Sequence, residues 1–230
     1  MNCWICDGAM SPCFTKDFQG EWGLGEAVYV KCEFCGLVVS ETLYDMPDPV
    51  WAELNRSLHT ALFSFDYLAK ERRAGLARQR RQAANIFDLF RKGALSADLP
   101  WLDYGCGTGY LADLLLEYGL PTLKYDPYMQ GEGFEAEVSG PHSLVLSTAV
   151  MEHIRGRESF DEMAGLVGPG GALGFQTYAF KIALSNPEHI ALLPSHCTFL
   201  SEQALDILFA QWAFDRSAHF PIMTFWWRSL

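Results

Sequence analysis

The period of apolar and polar positions changes several times along the chain, and each change marks a new element. Short apolar or alternating runs predict strands at residues 27–31, 37–40, 99–104, 122–126, 142–148 and 171–177. Between them the apolar spacing switches to three and four. Residues 110–118 (YLADLLLEY) and 157–167 predict helices, and residues 202–211 form another behind Ser201, a residue suited to cap it. Helical spacing also runs through residues 51–91, with a break expected near Gly75. Residues 214–217 and 221–227 read as two closing antiparallel strands. Strand and helix alternating from 99 to 177 predict an α/β fold, a doubly wound and mostly parallel sheet with its ligand at the carboxyl ends of the strands.

The strand at 99–104 breaks into Tyr104-Gly-Cys-Gly-Thr-Gly109, with glycine at every second position. Gly105, Gly107 and Gly109 free the backbone to take positive φ and to approach a ligand with no Cβ in the way. A helix follows at once, so the turn has the strand, glycine loop and helix N-terminus of a nucleotide site. Asp103 precedes the glycines, and a second acid, Asp126, ends the next strand, where a ribose diol is commonly held. A dinucleotide G-x-G-x-x-G fingerprint requires glycine at 110, where this chain has Tyr110.

The pattern D-x-G-x-G-x-G instead resembles the first motif of class I S-adenosylmethionine-dependent methyltransferases. The resemblance continues through Ser147-Thr-Ala-Val-Met-Glu-His-Ile154, like the family's segment after strand four, and Val167-Gly-Pro-Gly-Gly-Ala-Leu-Gly-Phe175, like its turn into strand five. It implies a Rossmann-like methyltransferase fold. Asp103, Gly105, Cys106, Gly107 and Gly109 would hold the amino-acid part of S-adenosylmethionine, Asp126 its ribose, and Met151 to His153 the wall beside the reacting methyl. The chain departs from the family after Asp126. Residues 127–141 are too few for a helix plus a full edge strand, Gly131 and Gly133 break any helix, and residues 134–138 offer a remnant edge strand. Adenine contacts are left unassigned.

A second module precedes the sheet. Cys3-Trp-Ile-Cys6 and Cys32-Glu-Phe-Cys35 are two C-x2-C pairs, and two such knuckles supply the four-sulfur tetrahedral shell that zinc favours. Gly8 and Gly36 follow the pairs where a knuckle needs backbone freedom. The expectation is a small zinc ribbon over residues 1–40 with a closed, structural ion on Cys3, Cys6, Cys32 and Cys35. Cys13 has the wrong spacing to join them, while Cys106 sits in the glycine turn and Cys197 reads as core. Residues 41–98 are expected to supply a linker, through 41–50, and then lid helices. Residues 99–230 form the methyltransferase domain.

Composition narrows the partners. Half of the 230 residues are hydrophobic, enough for a sizeable core, and the net charge of −11 argues against a nucleic-acid backbone as the main partner. Lys70 to Arg81 concentrates basic residues, read as a solvated helix face, with one or two arginines available to an anionic substrate group as the sharper alternative. No run approaches the roughly 20 apolar residues of a membrane span, and MNCWICDGAM lacks the pattern of a signal peptide. A cytoplasmic protein acting on a small molecule is expected.

Methyl transfer needs an aligned nucleophile and, where that nucleophile carries a proton, a base. His153, just past the strand at 142–148, is one candidate, with a structural capping role as its alternative. His196 is the other: Ser195-His-Cys-Thr-Phe-Leu-Ser201 resembles the E-H-x4-S segment of zinc-ribbon sugar C-methyltransferases, whose histidine there is a base. Ser195 replaces the glutamate and Leu192 an expected tyrosine, so the likeness covers His196 and Ser201. His189, Tyr178 and Tyr128 are lesser candidates. The reading is a methyltransferase acting on a small polar metabolite, such as a sugar or sugar-nucleotide derivative. Its rivals are a degenerate methyltransferase fold serving as a zinc-ribbon interaction module, and an enzyme whose ribbon recognises protein or RNA.

Overall fold

A computed structural model of the chain describes residues 2–63, 69–129, 132–178 and 192–229, with side chains described outside 59–63 and 69–72. The chain forms two compact units, one of Arg56–Thr148, Glu162–Gln176 and Trp212–Leu230, the other of Met1–Asn55, Ala149–Asp161 and Thr177–Gln211.

The first unit is built on a six-stranded sheet. Its strands are β4 (Trp101–Tyr104), β5 (Thr122–Tyr125), β6 (His142–Thr148), β7 (Val167–Gln176), β9 (Phe214–Phe220) and β10 (Met223–Arg228), in the order β5-β4-β6-β7-β10-β9. The first four are parallel, and β10 pairs antiparallel with both β7 and β9. This is the expected α/β arrangement. Helix α3 (Ala69–Arg91) and helix α4 (Tyr110–Glu117) cover one face. From α3, Ala83, Ile86 and Leu89 point inward at helical spacing and join Leu111, Leu114 and Leu115 of α4. They pack on Trp101, Leu144, Leu146, Ala172, Phe225 and Trp227 of the sheet. Burying an aliphatic side chain of this kind is worth about 1.5–3 kcal/mol, so this face contributes substantially to the stability of the unit.

Three sequence expectations change here. Helix α3 runs through Gly75 without the expected break, because its buried face lies further along, from residue 83 onward. Residues 134–138 do not form the remnant edge strand: Glu135 donates one backbone bond to the Lys124 carbonyl at 2.8 Å and the pairing goes no further, leaving β5 at the sheet edge. Finally, β7 begins at Val167 rather than 171, since Val167 pairs with His142 before a register irregularity carries the strand on to the pair Leu144 and Ala172.

The second unit carries a four-stranded sheet of β1 (Met10–Asp17), β2 (Glu26–Cys32), β3 (Val38–Ser40) and β8 (Thr198–Phe199), all neighbours antiparallel. A bulge at Cys13 shifts the register of β1. The pairing of β8 with β3 is why residues 177–211 group with the N-terminus. Tyr29, Val38, Leu192 and Phe199 form its core. Residues 41–50, expected as linker, contain a four-residue helix α1 (Glu41–Tyr44), whose Leu43 amide donates to the Ser40 hydroxyl at 3.3 Å, and the start of α2 (Asp48–Phe63). Helix α5 (Arg157–Gly165) follows Gly156, and α6 (Glu202–Gln211) is capped by Ser201 as expected, with the Ala204 amide donating to its hydroxyl at 3.0 Å. Among the described residues no helix is long and apolar enough to cross a membrane.

Candidate functional site

In the first unit the glycine turn lies between β4 and α4. Gly105, Gly107 and Gly109 all have positive φ, at 72°, 56° and 75°. Gly105 and Cys106 donate their amides to the Tyr125 carbonyl at 2.8 and 3.0 Å, which ties the turn to β5. A Cβ placed on Gly107 would meet nothing within 4 Å, so this stretch of backbone is open to a ligand. On Gly109 it would meet the Lys124 side chain at 2.6 Å.

Asp126 is brought to the same turn. One carboxylate oxygen accepts from the Gly107 amide at 2.9 Å, the other from Tyr128 and Met129 amides at 2.8 and 3.1 Å. Its first task is therefore to fix the loop. Three of the carboxylate's four lone-pair sites are thereby taken, and the oxygen facing Gly107 keeps one for a ligand hydroxyl. Tyr128 contributes its amide here.

Asp103 sits one strand across, in β4, fully buried. Its Oδ2 is a buried acceptor with no hydrogen-bond partner. Burial, and then the charge of Asp126, push its carboxyl up to about 7. A buried acid with a raised carboxyl beside an open glycine turn fits a ligand that brings a cationic group. Cys106 is buried too, and burial, reinforced by Asp103 and Asp126, raises its thiol, so it packs rather than reacts.

The histidine candidates belong to the second unit. Met151, Glu152 and His153 form a 3-10 turn in which Met151 and Glu152 are buried. His196 lies just before β8 and is 2% exposed. The two imidazoles meet edge to face with centroids 4.6 Å apart, and Tyr178 stacks on His196 at 5.6 Å. Sequence reasoning passed over Asn55, which reaches this pair. Its amide nitrogen donates to the Trp51 carbonyl at 2.9 Å, so its oxygen faces His153 Nδ1 at 3.1 Å. A carbonyl oxygen only accepts, so Nδ1 carries a proton. Nothing in the helical spacing of residues 51–91 distinguishes Asn55 from any polar helix residue. Glu152, expected only as part of the wall from Met151 to His153, accepts from the Thr177 hydroxyl through Oε2 at 2.8 Å. His189 lies outside the described residues, as do the side chains of Lys70 to Arg72 in the basic stretch. The rest of that stretch has Arg73, Arg80 and Arg81 exposed, with Arg80 donating to the Tyr110 hydroxyl at 2.9 Å.

The four cysteines converge at one end of the second unit's sheet. Cys3, Cys6, Cys32 and Cys35 bring their sulfurs within 4.8 Å of one another, with Cys3 to Cys35 and Cys6 to Cys32 both at 3.5 Å. Tetrahedral Zn–S bonds of about 2.3 Å set neighbouring sulfurs about 3.8 Å apart, so the group fits a zinc ion. The knuckle geometry agrees: the Cys35 amide donates to Cys32 Sγ at 3.4 Å, and Gly36 takes φ 74°. A Cβ on Gly8 would come to 3.1 Å from Cys32 Sγ. Burial raises the Cys3 thiol to about 11 and also raises Cys35. At Cys32 burial raises the thiol too, but the amides of Cys35 and Phe34 outweigh it and hold it at about 7. Thiolates are what a divalent ion binds, and its charge offsets the burial cost that the lone thiols carry. Cys13 is exposed and apart, with Sγ directed at the Tyr29 carbonyl, and Cys197 is fully buried.

A doubly wound sheet with an open glycine turn, an acid ending the neighbouring strand and a buried acid before the turn suits a nucleotide-type cofactor. A family model described as a methyltransferase domain matches residues 68–225. The chain belongs to this family, and it is a class I S-adenosylmethionine-dependent methyltransferase. In fold it is similar to the magnesium protoporphyrin IX methyltransferase of Synechocystis PCC 6803. The form with bound SAH aligns at TM-score 0.52 and 16% identity over 77% of this chain and 94% of that one. The form with bound SAM aligns at TM-score 0.52 and 14% identity over 80% and 99%. An O-methyltransferase family protein from Burkholderia thailandensis aligns at TM-score 0.49 and 15% identity over 78% and 71%. No protein with a curated description matches the chain.

Proposed function

We propose that the enzyme transfers the methyl group of S-adenosylmethionine to a small polar metabolite of the sugar or sugar-nucleotide class. Asp103, Gly105, Cys106, Gly107 and Gly109 hold the cofactor's amino-acid part, and Asp126 its ribose. His153 and His196 are the catalytic residues, drawing off the acceptor's proton as the methyl is delivered. The cofactor supplies its own electrophile, so the chain's tasks are alignment and proton removal. The observation that carries the reading is the open backbone at Gly107 between two acids, one of them buried with an unpartnered oxygen. The hydrogen-bond chain from Trp51 through Asn55 to His153 supports the base, because it orients the ring through Nδ1 and assigns proton uptake to Nε2. The likeness of Ser195 to Ser201 to the histidine segment of sugar C-methyltransferases supports the acceptor class. Cys3, Cys6, Cys32 and Cys35 hold a structural zinc ion, and the reaction is placed in the cytoplasm.

The test is transfer of radiolabelled methyl to a panel of nucleotide-linked and free sugars by wild type, His196→Asn and His153→Gln. The expected result is transfer to members of that panel, falling about 100-fold or more in each variant while S-adenosylhomocysteine affinity holds. Transfer confined to acceptors without exchangeable hydroxyl, amine or acidic carbon protons contradicts the proposal, as does full turnover in both variants.

A further inference from the structure

The turn after β6 carries more than a pair of histidines. Glu152, His153 and His196 place a carboxylate oxygen and two ring nitrogens within 4.8 Å of one another. Glu152 is fully buried, and His196 nearly so. Both are anchored through their main chain: the Glu152 carbonyl accepts from the Cys197 amide at 2.8 Å, and the His196 amide donates to Leu193 at 2.9 Å. The His196 carbonyl also accepts from the Tyr29 hydroxyl at 3.4 Å.

Two observations suit this group to a cation. The Asn55 oxygen on His153 Nδ1 is the kind of outer bond that orients a metal-binding imidazole. The hydroxyl of Thr177 on Glu152 Oε2 does the same for a carboxylate ligand. Bonds of about 2.0–2.2 Å place neighbouring N and O ligands about 3–3.5 Å apart, and these ligand atoms already lie within 4.8 Å of one another.

We propose that Glu152, His153 and His196 bind a divalent transition-metal ion of the Zn2+ type, by two imidazoles and one carboxylate, with further coordination positions open to an acceptor oxygen. The ligand set differs from the four thiolates and favours borderline rather than soft ions. This rests on the reading that the two histidines activate the acceptor. It assigns the work to the ion's charge, which polarises an oxygen bound to it, rather than to a free ring nitrogen.

The full chain, loaded with one equivalent of Zn2+, is titrated with Co2+ and followed by visible absorption and by metal analysis after desalting. A second equivalent is expected, with weak d–d bands and without intense thiolate-to-cobalt bands. It should be lost in His153→Gln and in Glu152→Gln while the first zinc is retained. Glu152→Gln carries the test should His153→Gln not fold. One metal per chain in the wild type, thiolate bands on the second equivalent, or an undiminished second equivalent in the folded variants each overturn the proposal. Methyl transfer on the same preparations separates the two readings. One metal per chain with turnover lost in His153→Gln overturns the ion alone and leaves the histidines as proton acceptors. Two metals with no transfer to any acceptor upholds the ion and overturns the proposed reaction.

Discussion

Cofactor binding should expel a proton, and Asp103 should be its source. In the free protein, burial first and the Asp126 charge second hold the Asp103 carboxyl at about 7. At pH 6 roughly nine in ten molecules therefore carry the proton, and at pH 7 roughly half. The ammonium of S-adenosylmethionine favours the carboxylate, so binding releases about 0.9 proton at pH 6 and about 0.5 at pH 7. The ionised fraction rises about fivefold over that interval, and affinity should rise with it. Titrations at pH 6 in buffers of different ionisation enthalpy read the proton count as the slope of apparent enthalpy. Below pH 7 the ligand's own amine stays largely protonated, so it adds little. In Asp103→Asn the slope should vanish, the pH dependence should flatten, and affinity should fall by about 10-fold to 100-fold, as for a charge-assisted bond. The same shift acts on folding with the opposite sense. A carboxyl raised in the folded state costs stability as pH rises from about 4 to about 7, by at most roughly 4 kcal/mol over that window. Zero proton release at pH 6, or release that survives in Asp103→Asn, would refute the reasoning.

Further outcomes follow from other sites. Gly107→Ala puts a side chain at φ 56° and into open space. It should cost about 1–2 kcal/mol of stability and weaken S-adenosylhomocysteine binding at least tenfold, whereas unchanged affinity would show that no ligand approaches that backbone. Cys32→Ala should abolish zinc retention and lower the melting temperature by several degrees, measured by metal analysis and calorimetry, and a variant that keeps its zinc would exclude Cys32 as a ligand. Ala149 also has a positive φ, 58°, so Ala149→Gly relieves strain and should raise stability by about 1 kcal/mol in denaturant titration. A loss of stability there would mean the strain is absent.

Much of this was legible from spacing. The glycine turn announced itself because only glycine serves at Gly105 and Gly107, and the doubled C-x2-C spacing brought Cys3, Cys6, Cys32 and Cys35 together because a knuckle is a local structure. What escaped the sequence depends on partners distant along the chain. The edge strand at 134–138 looked plausible by alternation, yet strand formation requires a continuing partner ladder, and Glu135 finds one bond to Lys124. Helix α3 passes through Gly75 because the cost of one glycine, about 1 kcal/mol, is small beside the burial of Ile86 and Leu89. Residues 177–211 group with the N-terminus through the pairing of Val38 with Phe199 and Val39 with Thr198, a relation that no local pattern encodes. Asn55 and Glu152 gained significance in the same way, through the neighbours that the fold gives them.

The central claim is that this glycine turn and its two acids bind S-adenosylmethionine. Calorimetric titration of the zinc-loaded protein with S-adenosylhomocysteine, beside Asp126→Asn checked for folding by circular dichroism, tests it most directly. The account predicts one site of micromolar affinity in the wild type and at least a tenfold loss in the folded variant. Absence of binding in the wild type, or equal binding in both, would contradict it.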